Sequence, residues 1–169
     1  MKPLGLLHMQ PVFVKIESMA KPFRLEAFLP YRLNLLAQGV SQQLSAIYAQ
    51  RFDLDIPQWR ILANLASRGE LTARAITKIT MSHKSTISRA VASLQERKLI
   101  ERTTDADDKR AFVLRLTPKG KALVSELLPL VLDFEKGLLG RLDAAERKAL
   151  LAGLTALERE TLRHRADNA

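Results

Sequence analysis

Ser85, Ser88 and Arg89 lie in the run "KSTISRAVASLQERKLI", residues 84–100. Their side chains suit one chemistry, hydrogen bonding to phosphate oxygens and to base edges in a groove of double-stranded DNA. At the helical period of about 3.6 residues per turn, Ile87, Ala90, Val91 and Leu94 gather on one side. Ser85, Ser88, Arg89 and Ala92 gather opposite, flanked by Thr86 and Ser93, and Lys84 adds a cation at the start. A merely solvated face usually carries Glu/Lys pairs, and none occurs here before Gln95 and Glu96. A helix faced with small hydroxyls and one guanidinium can approach another surface closely.

Such a helix needs elements that hold it. The preceding stretch "ELTARAITKIT" has Thr72 as N-cap and Leu71 and Ile76 placed as a hydrophobic staple, which predicts a short helix to about Ile79. The polar break "TMSHK" separates the two, with Ser82 or His83 expected to cap the second, which runs to about Lys98. Leu99 to Thr103 then reads as a strand. "AFVLRL" alternates Phe112, Leu114 and Leu116 against Val113 and Arg115, the period of a half-buried strand, with "TDADDKR" as the hairpin loop between them. A tight pair of helices followed by a hairpin is a winged helix-turn-helix, whose second helix lies in the major groove.

Flanking helices complete the order. Leu33, Leu36, Val40, Leu44 and Ile47 step by three and four along a long helix from Tyr31 to about Phe52. "DIPQW" opens the next, with Asp55 as cap, Pro57 in the first turn and Gln58 closing a capping box; Trp59, Leu62 and Leu65 form its buried side and "SRG" ends it. Thr117 and Pro118 open a further helix carrying Leu123, Leu127 and Leu130, with a kink expected at Pro129 and an end near Gly137 and Gly140. Asp143 caps a final helix with Leu150, Leu154 and Leu157 as its stripe. The terminal stripes exceed what one winged-helix domain covers, which predicts a homodimer.

The formal charge of +9 favours an anionic partner. Residues 70–121 hold twelve Lys/Arg against six Asp/Glu, so two thirds of the net charge lies in the segment expected to meet phosphate. Without Cys there is no disulfide, thiol switch or thiolate zinc site. His8, His83 and His164 are too dispersed for a metal cluster, and no G-x-S-x-G elbow accompanies the Ser, His and Asp residues, so neither metal, cofactor nor enzymatic activity is expected. The longest apolar runs, such as "LLPLVL", fall far short of the roughly 20 residues that span a bilayer. The apolar start is broken by Pro3, Gly5 and His8, unlike a signal peptide, and a cytoplasmic location is expected.

"LTARAITKIT", "KSTISRAVASLQERKLIER" and "DADDKRAFVLRLTPKGKAL" together resemble the DNA-binding core of the MarR (multiple antibiotic resistance regulator) transcription factors. The most specific piece is Asp105, Asp108 and Arg110 as D-x-x-D-x-R, then "LRLTPKG", and the resemblance extends over roughly residues 23–165. It implies a mostly α winged helix-turn-helix with a two-stranded β wing and long N- and C-terminal dimerisation helices. Residues 1–20 form an N-terminal extension, 21–54 and 118–169 the helical dimerisation region, and 55–117 the DNA-binding domain. The implied DNA contacts are Lys84, Ser85, Thr86, Ser88, Arg89, Asp108, Lys109 and Arg110, with Arg110 entering the minor groove and Asp108 orienting nearby basic residues. Lys98 stands where the resemblance implies a glycine, and a left-handed backbone there costs Lys more than Gly.

The implied function is a transcriptional regulator, most often a repressor, that binds a pseudo-palindromic operator as a homodimer and is released by a small aromatic or anionic effector. Tyr31, Arg32 and Trp59 are candidate effector contacts. Trp59 reads first as core, and Arg32 equally as a surface charge. A winged helix used as a protein-interaction module, without sequence-specific DNA binding, is the alternative from another class.

Overall fold

A computed structural model describes residues 23–104 and 112–167. Six helices and one hairpin follow in the order α1 (Leu29–Phe52), α2 (Ile56–Arg68), α3 (Ala73–Thr80), α4 (Lys84–Glu96), β1 (Ile100–Thr104), β2 (Phe112–Leu116), α5 (Pro118–Leu139) and α6 (Ala144–Asp167). The extension over residues 1–20, with His8, lies outside the described residues, as do the hairpin loop and the side chain of His164. Two compact units divide between Gln38 and Gly39, inside α1. In the first, Phe23 meets Phe28 edge to face at 5.6 Å, and Leu29, Leu33, Leu35 and Leu36 are exposed along the helix.

The second unit has a single apolar core. Tyr48 and Phe52 of α1, Ile61, Leu62 and Leu65 of α2, Ile76 of α3, Ile87 and Leu94 of α4, and Leu114 and Leu116 of β2 are all buried in it, with Val124 and Leu127 of α5. Trp59 packs half-buried at its edge, its ring stacked on Tyr48 with centroids 5.8 Å apart. Burial pushes the Tyr48 hydroxyl above the ordinary tyrosine pKa, with Arg60 pulling it back and Asp55 adding to the rise. Among the described residues no helix is long and apolar enough to cross a membrane.

Local chemistry fixes the helix ends. Asp55 Oδ1 accepts from the Gln58 amide at 2.7 Å while Gln58 Oε1 accepts from the Asp55 amide at 2.9 Å, the reciprocal box expected from "DIPQ". Thr72 Oγ1 accepts from Ala75 N at 3.0 Å, Thr117 Oγ1 from Gly120 N at 3.0 Å, and Asp143 Oδ1 from Glu146 N at 2.8 Å. Gly69 closes α2 at φ 82. Met81 takes φ 50, and this left-handed residue turns the chain sharply from α3 into α4. Pro129 sits inside a continuous α5, which ends at Leu139 before Gly140.

β1 and β2 pair antiparallel from Ile100 opposite Leu116 to Thr104 opposite Phe112. Leu71 joins the sheet as well, exchanging backbone bonds with Leu114 at 3.1 and 2.8 Å. The strict alternation expected of β2 is broken, because Val113 is buried and Phe112 is 47% exposed. Leu114 and Leu116 face the helices as expected, whereas Phe112, one pleat nearer the hairpin loop, extends past the core.

Gln58 is the one buried polar side chain among the described residues, at 8% exposure, and its Nε2 donates to Ser93 Oγ on α4 at 2.9 Å. The same amide therefore caps α2 and anchors the middle of α4. Gln58→Leu should lower stability by about 1–3 kcal/mol, since it strands the Asp55 amide and the Ser93 hydroxyl together. Urea denaturation measures this, and an unchanged midpoint would mean that water replaces both bonds.

Candidate nucleic-acid interface

α4 packs on α2 and α3 through Ile87, Ala90 and Leu94, all buried. That packing turns the opposite face outward. Lys84, Ser85, Ser88, Arg89 and Ala92 are exposed and Thr86 is half-buried. Among the described residues no ion pair or hydrogen bond engages the side chains of Lys84 or Arg89. The face thus offers hydroxyls and two cations without a partner among the described residues.

The start of α4 is open. His83 occupies the N-cap position, yet its side chain makes no cap bond. Ser82, the other expected cap, turns its Oγ to the Thr80 carbonyl at 3.3 Å. Neither His83 nor Ser82 thus caps the first-turn amides of α4 with its side chain, which suits an anion at that end.

A cleft of about 650 Å³ lies between α3, α4 and the hairpin, lined among others by Arg74, Lys84, Ser88, Arg102 and Phe112. No carboxylate belongs to its described lining. The Arg102 guanidinium sits 3.7 Å from the Phe112 ring centroid. The register makes this a diagonal pair, since Arg102 faces Leu114, two residues along from Phe112. The stacked pair is absent from the sequence-derived candidates. The pairing register is the signal that would have found it.

Not every cation of the hairpin is free. Arg115 is held by Glu101 at 2.7 Å and Glu70 at 3.7 Å. The Glu101 hydrogen bond and charge raise its pKa further, Glu70 adding less. Being exposed, these pairs contribute little stability, but they remove Arg115 from the charge available to a polyanion.

Asp108, Lys109 and Arg110 lie outside the described residues. Tyr31, half-buried, and Arg32, exposed, belong to the first unit and Trp59 to the second. Tyr48 is fully part of the core. Among the described residues no group of three His, Cys, Asp or Glu could hold a metal.

Helix pair, open polar face and hairpin define a winged helix-turn-helix protein. A family model described as "MarR family" matches residues 52–111. A MarR family transcriptional regulator from Silicibacter pomeroyi DSS is 30% identical, with 84% of this chain aligned to 95% of that one at a TM-score of 0.70. The structure "Mechanism for regulation of DNA binding of Bordetella bronchiseptica BpsR by 6-hydroxynicotinic acid" is similar over 75% of this chain and 98% of that one, at 28% identity and TM-score 0.62. The HTH-type transcriptional repressor NicR of Pseudomonas putida is 29% identical over 119 residues, 69% of this chain and 75% of NicR. The chain belongs to the MarR family and is a DNA-binding transcriptional regulator, not a winged helix given over to protein contacts.

Proposed function

We propose that the chain is a homodimeric, ligand-responsive repressor that lays α4 of each copy into the major groove of a pseudo-palindromic operator. Lys84, Ser85, Thr86, Ser88 and Arg89 make the contacts there, and Asp108, Lys109 and Arg110 serve the hairpin loop at the adjoining minor groove. The observation that carries this reading is the exposed face of α4, whose two cations have no protein partner among the described residues, beside a cleft without carboxylates in its described lining. Residues 55–117 carry the DNA contacts, and 21–54 with 118–169 the contact between copies.

Exposed leucines support a partner copy. Leu150, Leu151, Leu154 and Leu157 of α6 are 38–48% exposed, and Leu36 in the first unit is 60% exposed. Apolar rows of that length are rarely left to water. BpsR, whose DNA binding is regulated by 6-hydroxynicotinic acid, supports an aromatic, anionic effector. Trp59 is a candidate contact for it, and separately Tyr31 and Arg32.

The test is selection of duplexes from a random pool, followed by binding at several salt concentrations and sedimentation at micromolar protein. A dimer should enrich one two-fold sequence, and its affinity should fall steeply with salt as counterions are released. Hydroxynicotinic or related aromatic acids should release the duplex. A monomer, or a pool without enrichment, would defeat the proposal.

A further inference from the structure

Arg97, just past the end of α4, reaches to the end of α1. Its Nη1 donates to the Asp53 carbonyl at 2.5 Å and its Nη2 to the Phe52 carbonyl at 2.7 Å. Those oxygens stand where α1 ends. A helix leaves its last carbonyls without partners inside the helix. At this end Asp53 N returns to Ala49 O at 3.1 Å and Leu54 N to Tyr48 O at 3.3 Å, so the chain itself serves the Tyr48 and Ala49 carbonyls. Phe52 and Asp53 are served instead by the fork of a guanidinium from the end of α4, which presents two donors in a fixed plane.

The turn that carries Arg97 is tied on its other side. The Arg97 carbonyl accepts from Lys119 Nζ at 3.0 Å, and Thr117 Oγ1 donates to the Lys98 carbonyl at 2.7 Å. The ends of α1 and α4 and the starts of β1 and α5 therefore meet at one joint. Asp53 and Lys98 both hold left-handed backbone, at φ 49 and φ 57, without being glycine. Such strain persists only where the surrounding structure over-determines it, and it gathers at sites with a role.

We propose that Arg97 is a positioning residue for DNA recognition: its grip on the end of α1 sets the attitude of α4 and couples that attitude to α1. The proposal rests on α4 being the DNA-reading helix. Arg89 precedes Arg97 by eight residues, about 12 Å along the helix, so a tilt of roughly 10° about the joint displaces it by about 2 Å. That exceeds the tolerance of a hydrogen bond to a base edge. Phosphate contacts from long flexible cations accommodate it. Losing the grip should therefore cost discrimination more than general affinity.

The experiment uses the full chain, a duplex selected by the parent protein from a random pool, and a scrambled duplex of equal length. Arg97→Ala should bind the selected duplex about tenfold or more weakly, bind the scrambled one within about twofold of the parent, and keep the parent's salt slope. Arg97→Lys, whose single ammonium cannot serve both carbonyls as a planar fork does, should show the same split with a smaller loss. Equal losses on both duplexes with a shallower salt slope would make Arg97 a phosphate contact and overturn the proposal. Unchanged affinity for the selected duplex, with a lower melting temperature, would reduce Arg97 to a structural residue. Where Arg97→Ala does not fold, the same comparison on Arg97→Lys decides. A parent protein that selects no duplex counts against the DNA-reading assignment of α4, an outcome distinct from all of these.

Discussion

Replacing Arg89 by Ala should weaken binding to a selected duplex by about 1–3 kcal/mol, roughly 5- to 150-fold, and should narrow the gap between that duplex and a random one. Arg89 lies mid-helix on the exposed face of α4, among the described residues without a carboxylate partner, so little folding stability depends on it. A guanidinium there reaches guanine O6 and N7 in a bidentate pair, or a phosphate. The two roles leave different traces. If Arg89 reads a base, its removal erases preference at one position and leaves the salt slope nearly as it was. If it holds a phosphate, its removal weakens every duplex alike and lowers the slope by about one. Binding isotherms for both duplexes across salt, with melting temperature and sedimentation matched to the parent, separate them. If Arg89→Ala binds both duplexes as the parent does, the face of α4 is not the surface that meets DNA.

The elements around that face are legible in the sequence because each carries a local signature. Asp55 with Gln58, Thr72 and Asp143 are caps whose partners lie three residues on, so spacing alone locates the helix starts. The wheel separates Ile87, Ala90 and Leu94 from Ser85, Ser88 and Arg89 because neighbours on a helix are fixed by its period. Lys98 stands out through the resemblance, and its φ of 57 bears out the left-handed turn.

Long-range ties are not legible. Gln58 reads as a capping residue, and nothing local says that its amide also reaches Ser93 across 35 positions. Arg97 reads as one more surface cation in "QERKLI", although its partners are backbone carbonyls more than forty residues earlier. Backbone acceptors leave no trace in residue types, so such pairings appear only once the chain is folded. Leu71 reads as one half of a staple, and nothing local tells of its exchange of bonds with Leu114, which depends on a hairpin that closes later in the chain. Phe112 shows the opposite error. Its type predicts burial, and only the register reveals that it stands beyond the core under Arg102.

Gly120→Ala should destabilise the fold by about 3 kcal/mol or more, the largest single effect expected of so small a change. The ordinary expectation has the opposite sign, since Ala in place of Gly within a helix gains up to about 1 kcal/mol. Steric room decides which wins. A Cβ built on Gly120 would stand 1.9 Å from the Leu99 carbonyl oxygen and 2.9 Å from its carbon, both backbone atoms. Leu99 cannot easily withdraw, because its carbonyl accepts from Thr117 N at 3.1 Å and its own amide is bonded to Leu94 O at 2.9 Å. Relief must come from α5 moving outward, which breaks the Thr117 cap and loosens the turn through Arg97 and Lys98. Gly137, in the same helix, supplies the control, because nothing lies within 4 Å of its Cβ position. Gly137→Ala should leave stability unchanged or raise it slightly while Gly120→Ala lowers it steeply in the same denaturant titration. Equal responses from the two would show that the first turn of α5 gives way freely, and the close approach of α5 to Leu99 would then have no part in holding α4.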